Sequence, residues 1–316
     1  MKTAWGEKQN ADSTNTRAGL EYLEMGKGSS NTRETLWVNE CSRAVKFAGL
    51  FGARLRAGNI GHGTAGVGDS ILIDLAKGFF AVGDSSDREP RAARMFMSHF
   101  AGLLADFSVL SPDRAIPDDR LDGLQKEIVT RSREMLRLYP FQGTSTFTGL
   151  LLIRTDRRIR GILFHTGDSV LFACHPLNGI RRVTENNFWL LGKVREFYQV
   201  DSFDVDPGER FLLATDGLQD LSPPENKGFD EYLAELFRRH PVEDLPDILI
   251  DGCDMRKDQK DDLAFLSLAP DGPYPKACEI LLGGITAETE ARRLLRLQNP
   301  AGEYVMWESF VTREDF

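Results

Sequence analysis

The chain has 316 residues, of which 41% are hydrophobic and 28% are charged, close to the usage of an ordinary globular protein. This length suits one large domain with appendages or two modest domains, and the composition excludes collagen-like, coiled-coil and wholly disordered chains. The 39 basic and 48 acidic residues give a net charge of −9, which argues against a nucleic-acid partner.

The cysteines and the amino terminus bear on where the protein works. Four cysteines are scattered without a CxxC pair, and the first 15 residues contain no apolar segment of the kind found in a signal peptide. No apolar run approaches the roughly 18 residues that a membrane span needs. We therefore expect a reduced, cytoplasmic protein with no membrane partner.

Composition divides the chain into three parts. Residues 1–35 are rich in polar and charged residues with few apolar positions, so we predict a poorly ordered leader. Residues 36–270 carry the strand-like and helix-like patterns of the main domain. Residues 271–316 form a C-terminal extension of unassigned role, with a predicted helix over 286–297 and an apolar stretch over 303–310.

The predicted elements of the main domain come in blocks. Apolar runs over 71–75 and 78–82, separated by a short turn, predict a β-hairpin. Helical spacing of apolar residues then predicts two long helices, over 88–110 and 118–138. The remaining predicted elements are strands over 147–153, 161–166, 169–175, 209–215 and 263–268, and helices over 229–239 and 242–252. Separate runs of strands and helices favour an α+β fold with antiparallel sheets over a Rossmann fold.

Several aspartates follow or precede the predicted strands. Asp84, Asp168 and Asp216 each come at the end of an apolar, β-prone run, and Asp261 and Asp262 immediately precede the last strand. Each Gly-Asp or Asp-Gly pair alone is ordinary in a turn. Together, strand ends can bring several carboxylates to one rim, where they repel each other unless a cation lies among them. Oxygen ligands suit Mg²⁺ or Mn²⁺, and the histidines and cysteines lack zinc-ligand spacing.

Seven short motifs between about residue 60 and residue 270 resemble, in order and spacing, those of the metal-dependent serine/threonine protein phosphatases of type 2C, the PPM family. They are VGDSILID with Asp69, GFFAVGDS with Asp84, the GTS of residues 143–145, HTGDSV with Asp168, RRVTENN of residues 181–187, DPGERFLLATDGLQD with Asp216, and DDLAFLSL with Asp261. The resemblance implies a four-layer αββα sandwich of two antiparallel sheets with helices on both outer faces. It also implies a compact, bacterial-type member.

The resemblance implies metal ligands residue by residue. Asp84 would bridge two Mn²⁺ or Mg²⁺ ions, and the carbonyl of Ser85 would be a further ligand. Asp216 and Asp261 would hold the second ion.

The resemblance gives two more aspartates a supporting role, since Asp69 and Asp168 would be outer-sphere groups or would help to bind a third, weaker ion.

The resemblance also implies the reaction. Hydroxide activated by two metals, and no side chain, would attack the phosphorus of phosphoserine or phosphothreonine in a protein. The expected partner is therefore a phosphorylated protein substrate or a cognate kinase, and the oligomeric state stays open.

Departures from the family pattern affect the first half of the site. Thr64 stands where the family has an arginine that clamps phosphate, and Gly68 stands where it has a glutamate. Residues 85–87 are Ser-Ser-Asp, where the family has glycines. The phosphate-binding residue is thus unassigned, and the arginines that could substitute, or could be ordinary surface charges, are Arg54, Arg56 and Arg88.

These departures leave a second function open. A non-catalytic pseudophosphatase could bind a phosphoprotein or a kinase as a regulator. The retained Asp84, Asp216 and Asp261 favour the enzyme, since a chain without catalysis would be free to lose them.

Two histidines and one basic turn have two interpretations each. His62 and His165 lie close in sequence to Asp69 and Asp168, and each is a general acid or a structural histidine. The turn over 154–160 either only joins two strands or docks an acidic or phosphorylated partner.

Overall fold

The structure is a computed structural model, and it describes residues 34–38, 44–56, 68–86, 91–141, 143–223, 227–252, 254–255, 261–275 and 278–283. The predicted leader up to residue 33 lies outside the described residues, as do the predicted helix over 286–297 and the apolar stretch over 303–310.

The described ranges contain fifteen strands and four α-helices. The strands are β1 (Glu34–Val38), β2 (Val45–Phe47), β3 (Phe51–Arg56), β4 (Asp69–Asp74), β5 (Phe79–Asp84), β6 (Phe147–Arg154), β7 (Ile159–Thr166), β8 (Val170–His175), β9 (Gly179–Arg182), β10 (Gln199–Val205), β11 (Arg210–Ala214), β12 (Leu221–Ser222), β13 (Asp254–Met255), β14 (Leu263–Leu268) and β15 (Cys278–Gly283). The helices are α1 (Arg91–Ala105), α2 (Asp118–Leu138), α3 (Phe229–Arg239) and α4 (Leu245–Gly252).

Two large sheets organise the fold. The first has seven strands in the order β1-β15-β4-β5-β6-β7-β10, and the second has six in the order β2-β3-β14-β11-β8-β9. Neighbouring strands are antiparallel, except that β1 and β15 run parallel. Strands β12 and β13 form a separate antiparallel pair. The α+β class predicted from the blocks of strands and helices is confirmed.

The continuous apolar runs of the central strands arise because these strands are covered on both faces. In β4, Ile71 and Ile73 belong to the core between the two sheets, whereas Leu72 between them packs into the core shared with the helices outside the first sheet. Successive strand residues point to opposite faces, so both faces must be apolar. The inter-sheet core also contains Phe80 and Leu213, from one sheet each.

Helices cover both outer faces and complete the four layers. Phe96 and Phe100 of α1 and Ile128 of α2 pack on the outside of the first sheet. Leu233 of α3 and Leu249 of α4 pack on the outside of the second sheet. The bounds predicted for α2 and α3 are confirmed, whereas α1 ends at Ala105, before the predicted end at residue 110.

Strand β15 comes from the segment assigned to the C-terminal extension. It lies between β1 and β4, and its Ile280, Leu281 and Leu282 are fully buried. Glu34 and Thr35 of β1 belong to the segment assigned to the leader. The first sheet therefore takes strands from both sides of the predicted 36–270 domain.

Among the described helices, none combines the length and the apolar character needed to cross a lipid bilayer.

Candidate metal centre

The predicted aspartates lie at one edge of the sandwich. Asp69 begins β4 and Asp84 ends β5, and the two residues face each other across this antiparallel pair. Asp216 directly follows Thr215 after β11, and Asp261 lies two residues before β14, the antiparallel neighbour of β11. Asp168 lies in the turn that leads from β7 of the first sheet to β8 of the second.

Asp69 joins the two sheets at this edge. Its side chain is 1% exposed, and its Oδ2 accepts hydrogen bonds from Thr215 Oγ1 at 2.6 Å and from the Ala264 backbone N–H at 2.8 Å. Burial raises the pKa of Asp69 well above its usual range, and the charges of Asp84 and Asp262 act in the same direction. The carboxyl group is therefore held by the second sheet while its backbone belongs to the first.

The other site carboxylates repel one another. Burial and the charges of Asp216, Asp261 and Asp168 raise the pKa of Asp84 to about 8. Burial and the charges of Asp168 and Asp261 likewise raise the pKa of Asp216 to about 7, and burial followed by the charge of Asp261 raises the pKa of Asp168. Ionising all of these carboxylates together is therefore unfavourable unless a cation lies among them.

The donors present suit a hard divalent cation. They are carboxylate oxygens, and Oδ1 of Asp216 is buried without a hydrogen-bond partner in the structure. Orphaned buried oxygens are uncommon in proteins and call for an explanation such as a bound ion. Across the described ranges, however, no three His, Cys, Asp or Glu side chains are gathered closely enough to form a ready ligand set. The donor chemistry therefore fits Mg²⁺ or Mn²⁺, and binding requires the carboxylates to turn towards the ion.

Two further aspartates hold the backbone of the site. Asp220 is 2% exposed, and its Oδ2 accepts a hydrogen bond from the Asp261 N–H at 3.0 Å. Asp262 Oδ2 accepts one from the Gly68 N–H at 2.7 Å. Asp262 was predicted to lie at this rim with Asp261, whereas Asp220 was not singled out, although it lies within the motif that contains Asp216.

The serines that replace the family's glycines are hydrogen-bonded into the site. The Ser85 N–H donates to the Gly68 carbonyl at 3.1 Å, and Ser85 Oγ accepts from the Ala93 N–H of α1 at 2.9 Å. Thr144 Oγ1 donates to Ser86 Oγ at 2.6 Å. The serine side chains therefore hold residues 85 and 86 in place, whereas Asp87 lies outside the described residues.

His165 has a structural environment. It is fully buried on β7, where Nδ1 lies 2.8 Å from Thr148 Oγ1 and Nε2 lies 2.9 Å from the Glu185 carbonyl oxygen. Burial lowers the pKa of His165 to about 4, so the ring is neutral near pH 7. These contacts support the structural interpretation of His165, and His62 lies outside the described residues.

The structure bears on Arg54 but not on Arg88 as a possible phosphate-binding arginine. Arg54 pairs with Asp247 at 3.1 Å and with Asp251 at 2.9 Å, so it holds α4 to β3 and is neither a phosphate clamp nor a free surface charge. Arg88 lies outside the described residues, and so does Thr64.

An arginine that sequence analysis did not single out lies closer to the aspartates. Partial burial lowers the pKa of the otherwise exposed Arg182, and the charge of Asp168 acts in the opposite direction. The basic turn over 154–160 joins β6 to β7, as predicted, and its Arg158 and Arg160 pair with Asp204.

A comparison with models of protein families identifies the family of this chain. Residues 76–270 match the model of the Stage II sporulation protein E (SpoIIE) family. This match covers more than half of the chain, which therefore belongs to the SpoIIE family. The predicted relation to the bacterial type 2C phosphatases is confirmed.

Solved structures with a similar fold include bacterial phosphatases. The serine/threonine phosphatase PstP/Ppp of Mycobacterium tuberculosis is 17% identical, covers 69% of this chain and 97% of its own, and gives a TM-score of 0.44. RsbX in complex with magnesium is 16% identical over 72% of this chain and 99% of its own, with a TM-score of 0.45. PppA, described as a key regulatory component of T6SS in Pseudomonas aeruginosa, is 16% identical over 69% and 96%, with a TM-score of 0.46. A search of curated proteins finds no match.

Proposed function

We propose that this protein is a Mn²⁺- or Mg²⁺-dependent phosphatase that hydrolyses phosphoserine or phosphothreonine in a protein substrate. The observation that carries the proposal is the cluster of Asp84, Asp168, Asp216 and Asp261, in which burial first and mutual repulsion second raise the pKa of Asp84, Asp168 and Asp216. Such a cluster is unfavourable in the metal-free protein because the carboxylates repel one another. Divalent cations that bind there would offset this repulsion, which explains why the cluster is present.

Four residues are the proposed metal ligands. Asp84 with the Ser85 carbonyl, Asp216 and Asp261 would hold two cations. When bound, such a pair supplies a nucleophile from water and stabilises negative charge on the phosphoryl group during an in-line displacement.

The remaining polar residues would position those ligands. Asp69, whose Oδ2 already accepts two hydrogen bonds from the second sheet, suits an outer-sphere role, and Asp168 is the other candidate for that role or for a third ion. Thr146 Oγ1 accepts from the Asp84 N–H at 2.9 Å, and Asp220 holds the Asp261 backbone. These bonds fix the backbone, so cation binding needs only side-chain rotation.

A non-catalytic regulator is the second candidate. It is favoured by the departures in the first half of the site, where Thr64 replaces the family's arginine and Ser85 replaces a glycine. Such a pseudophosphatase would bind a phosphoprotein or a kinase without turning phosphate over.

Hydrolysis of a phosphoserine peptide with added Mn²⁺ tests the proposal. The expected result is release of inorganic phosphate that stops when the metal is chelated, with a phosphotyrosine peptide as the control substrate. Metal-saturated protein that binds the phosphoserine peptide but releases no phosphate would support the regulator. Absence of both binding and release would contradict both candidates.

A further inference from the structure

The proposed substrate poses an electrostatic problem. A phosphate monoester carries close to two negative charges near pH 7, and it would approach an edge that already holds Asp84, Asp168, Asp216 and Asp261. Two bound cations compensate part of this charge, and a guanidinium adds directional hydrogen bonds to phosphate oxygens. An arginine that serves this purpose has to lie beside the carboxylates and keep its hydrogen-bonding groups available.

Arg182 lies beside the Asp168 turn. It ends β9 and is paired with Phe172 of β8, and its Nε donates to Thr184 Oγ1 at 3.4 Å. Thr184 Oγ1 in turn accepts from the Leu171 N–H at 3.1 Å. The arginine is therefore tied to the strand that begins two residues after Asp168.

The other side of the same turn is bonded to the same segment. Asn187 Oδ1 accepts a hydrogen bond from the Gly167 N–H at 2.8 Å. The segment from Arg182 to Asn187 is thus hydrogen-bonded to the chain before and after Asp168. The mutual influence of the Arg182 and Asp168 charges agrees with this placement.

Arg182 also differs from other arginines in what it contacts. Arg54 is paired with two aspartates, Arg160 is paired with Asp204, and Arg181 is paired with Glu209 at 3.0 Å. Within the described residues Arg182 forms no ion pair within 4.0 Å, and the residue is exposed. Its guanidinium is therefore available to an incoming anion.

We propose that Arg182 binds the phosphate group of the phosphoserine or phosphothreonine substrate, in place of the arginine that is missing at position 64. This assignment rests on the proposed function. The guanidinium would donate from its terminal N–H groups to phosphate oxygens, because its planar fork matches two oxygens of a phosphate. Nε would remain bonded to Thr184.

Neighbouring arginines on β9 provide a matched test. With Mn²⁺ present, Arg182→Gln should raise the KM for a phosphoserine peptide about tenfold to a hundredfold, the range expected for losing a hydrogen bond to a charged group, and kcat should change less. Arg182→Lys should recover part of the loss, since it restores the charge without the fork. The control Arg181→Gln alters the adjacent residue that pairs with Glu209, and its KM should stay near that of the wild type.

Peptide binding gives a readout that does not need turnover. Fluorescence anisotropy should show weaker binding of the phosphopeptide to Arg182→Gln, with thermal melting confirming that the variant is folded. If Arg182→Gln fails to fold, Arg182→Lys is measured instead. The ratio of its affinities for the phosphorylated and the unphosphorylated peptide should be lower than the ratio for the wild type. Unchanged KM and affinity in a folded variant, or an equal change in Arg181→Gln, would overturn only the Arg182 assignment. A wild type that neither binds nor hydrolyses the phosphopeptide would overturn the proposed function as well.

Discussion

Asp84 is half-buried close to three other carboxylates, so its ionised form is disfavoured while no cation is present. The pKa of about 8 reflects burial first and the neighbouring aspartates second. A residue kept in such an environment lowers the stability of the metal-free protein near pH 7, because the unfolded chain ionises the same group at its ordinary pKa.

Replacing Asp84 with asparagine separates its two effects. Asp84→Asn should abolish Mn²⁺-dependent phosphate release, because a full negative charge is lost between the two proposed cations. The melting temperature of the metal-free variant should equal or exceed that of the wild type, because repulsion with Asp216 and Asp261 is relieved. Phosphopeptide hydrolysis and thermal melting, each with and without Mn²⁺, measure the two effects.

The exposed turn residue Asp156 is the control for that experiment. Asp156→Asn should leave hydrolysis and melting unchanged in both conditions. Retained hydrolysis in Asp84→Asn, or a lower metal-free melting temperature, would make Asp84 an ordinary turn aspartate.

His165 gives a prediction about acid stability. Its pKa is lowered to about 4 in the folded protein, whereas an unperturbed histidine titrates near 6.5. The unfolded state therefore binds more protons between these values, and the contribution of His165 to stability is present above about pH 6.5 and falls as the pH drops towards 4. His165→Gln should remove this dependence.

The measurement is the free energy of unfolding by urea across that pH range. The carboxylates with raised pKa values, Asp84 and Asp216, have the opposite dependence, so the quantity to compare is the difference between wild type and variant at each pH. That difference should shrink as the pH falls from 6.5 to 4. A difference independent of pH would show that His165 is not held neutral.

The site residues show which roles sequence can predict. The aspartates follow recognisable strands, and the structure brings Asp84, Asp168, Asp216 and Asp261 within electrostatic reach of one another. Arg182 lies within the RRVTENN motif, but no role was predicted for it, because its place beside Asp168 depends on the pairing of β8 with β9 and on the hydrogen bonds of Thr184. Tertiary hydrogen bonds of this kind leave no local pattern.

At the scale of elements, α1 is fastened to the site through one hydroxyl. Ser85 Oγ accepts the N–H of Ala93 in the first turn of α1, as the side chain of a helix cap does. The helix then packs Phe96 and Phe100 against the first sheet. The loop that carries the proposed carbonyl ligand and the start of α1 are thus one hydrogen-bonded unit.

Removing the Ser85 hydroxyl tests whether its hydrogen bond stabilises the start of α1. Ser85→Ala should lower the free energy of unfolding by about 1 kcal/mol, the usual cost of losing a side-chain cap, because the Ala93 N–H loses its acceptor in a buried setting. Mn²⁺ affinity, measured by calorimetry, should change little because the proposed ligand is the backbone carbonyl. The exposed Ser108→Ala is the control, and a large loss of Mn²⁺ affinity in Ser85→Ala would show that the hydroxyl itself matters for the metal.

The well-predicted elements are those with long buried apolar patterns, whereas the short buried strand β15 was not predicted. Helix α2 and the central strands carry strong periodic or continuous apolar patterns, and they were predicted well. Strands β3, β9 and β10 were not predicted because they carry charged or polar residues, and β9 is an exposed edge strand of four residues. Their strand structure depends on neighbouring strands that supply the hydrogen bonds, which a local pattern does not reveal.

At the scale of the whole molecule, the first sheet depends on residues after the family match ends at residue 270. Strand β15 supplies three fully buried apolar side chains and the hydrogen bonds of one edge of β4. Burying one such side chain contributes about 2 kcal/mol.

Three truncations test this dependence. Deleting residues 276–316 should lower the free energy of unfolding by several kcal/mol or prevent folding, whereas deleting 284–316, which keeps β15, should cost far less. Deleting residues 1–30 keeps β1 and should cost under about 1 kcal/mol. Urea unfolding of the purified truncations measures all three. Equal stability of the two C-terminal truncations would show that β15 is dispensable.

The position of β15 also dictates an order of events during protein synthesis. Strand β4 meets its neighbour β5 as soon as both leave the ribosome, but its other neighbour begins only at Cys278. The second sheet has the same arrangement, since β3 pairs with β14, which begins at Leu263. The emerging chain thus carries open sheet edges until nearly all described residues have been translated, a state in which unpaired strands favour aggregation. Both sheets can therefore be completed only after translation has passed Gly283, and Asp261 can join the other carboxylates only late in assembly.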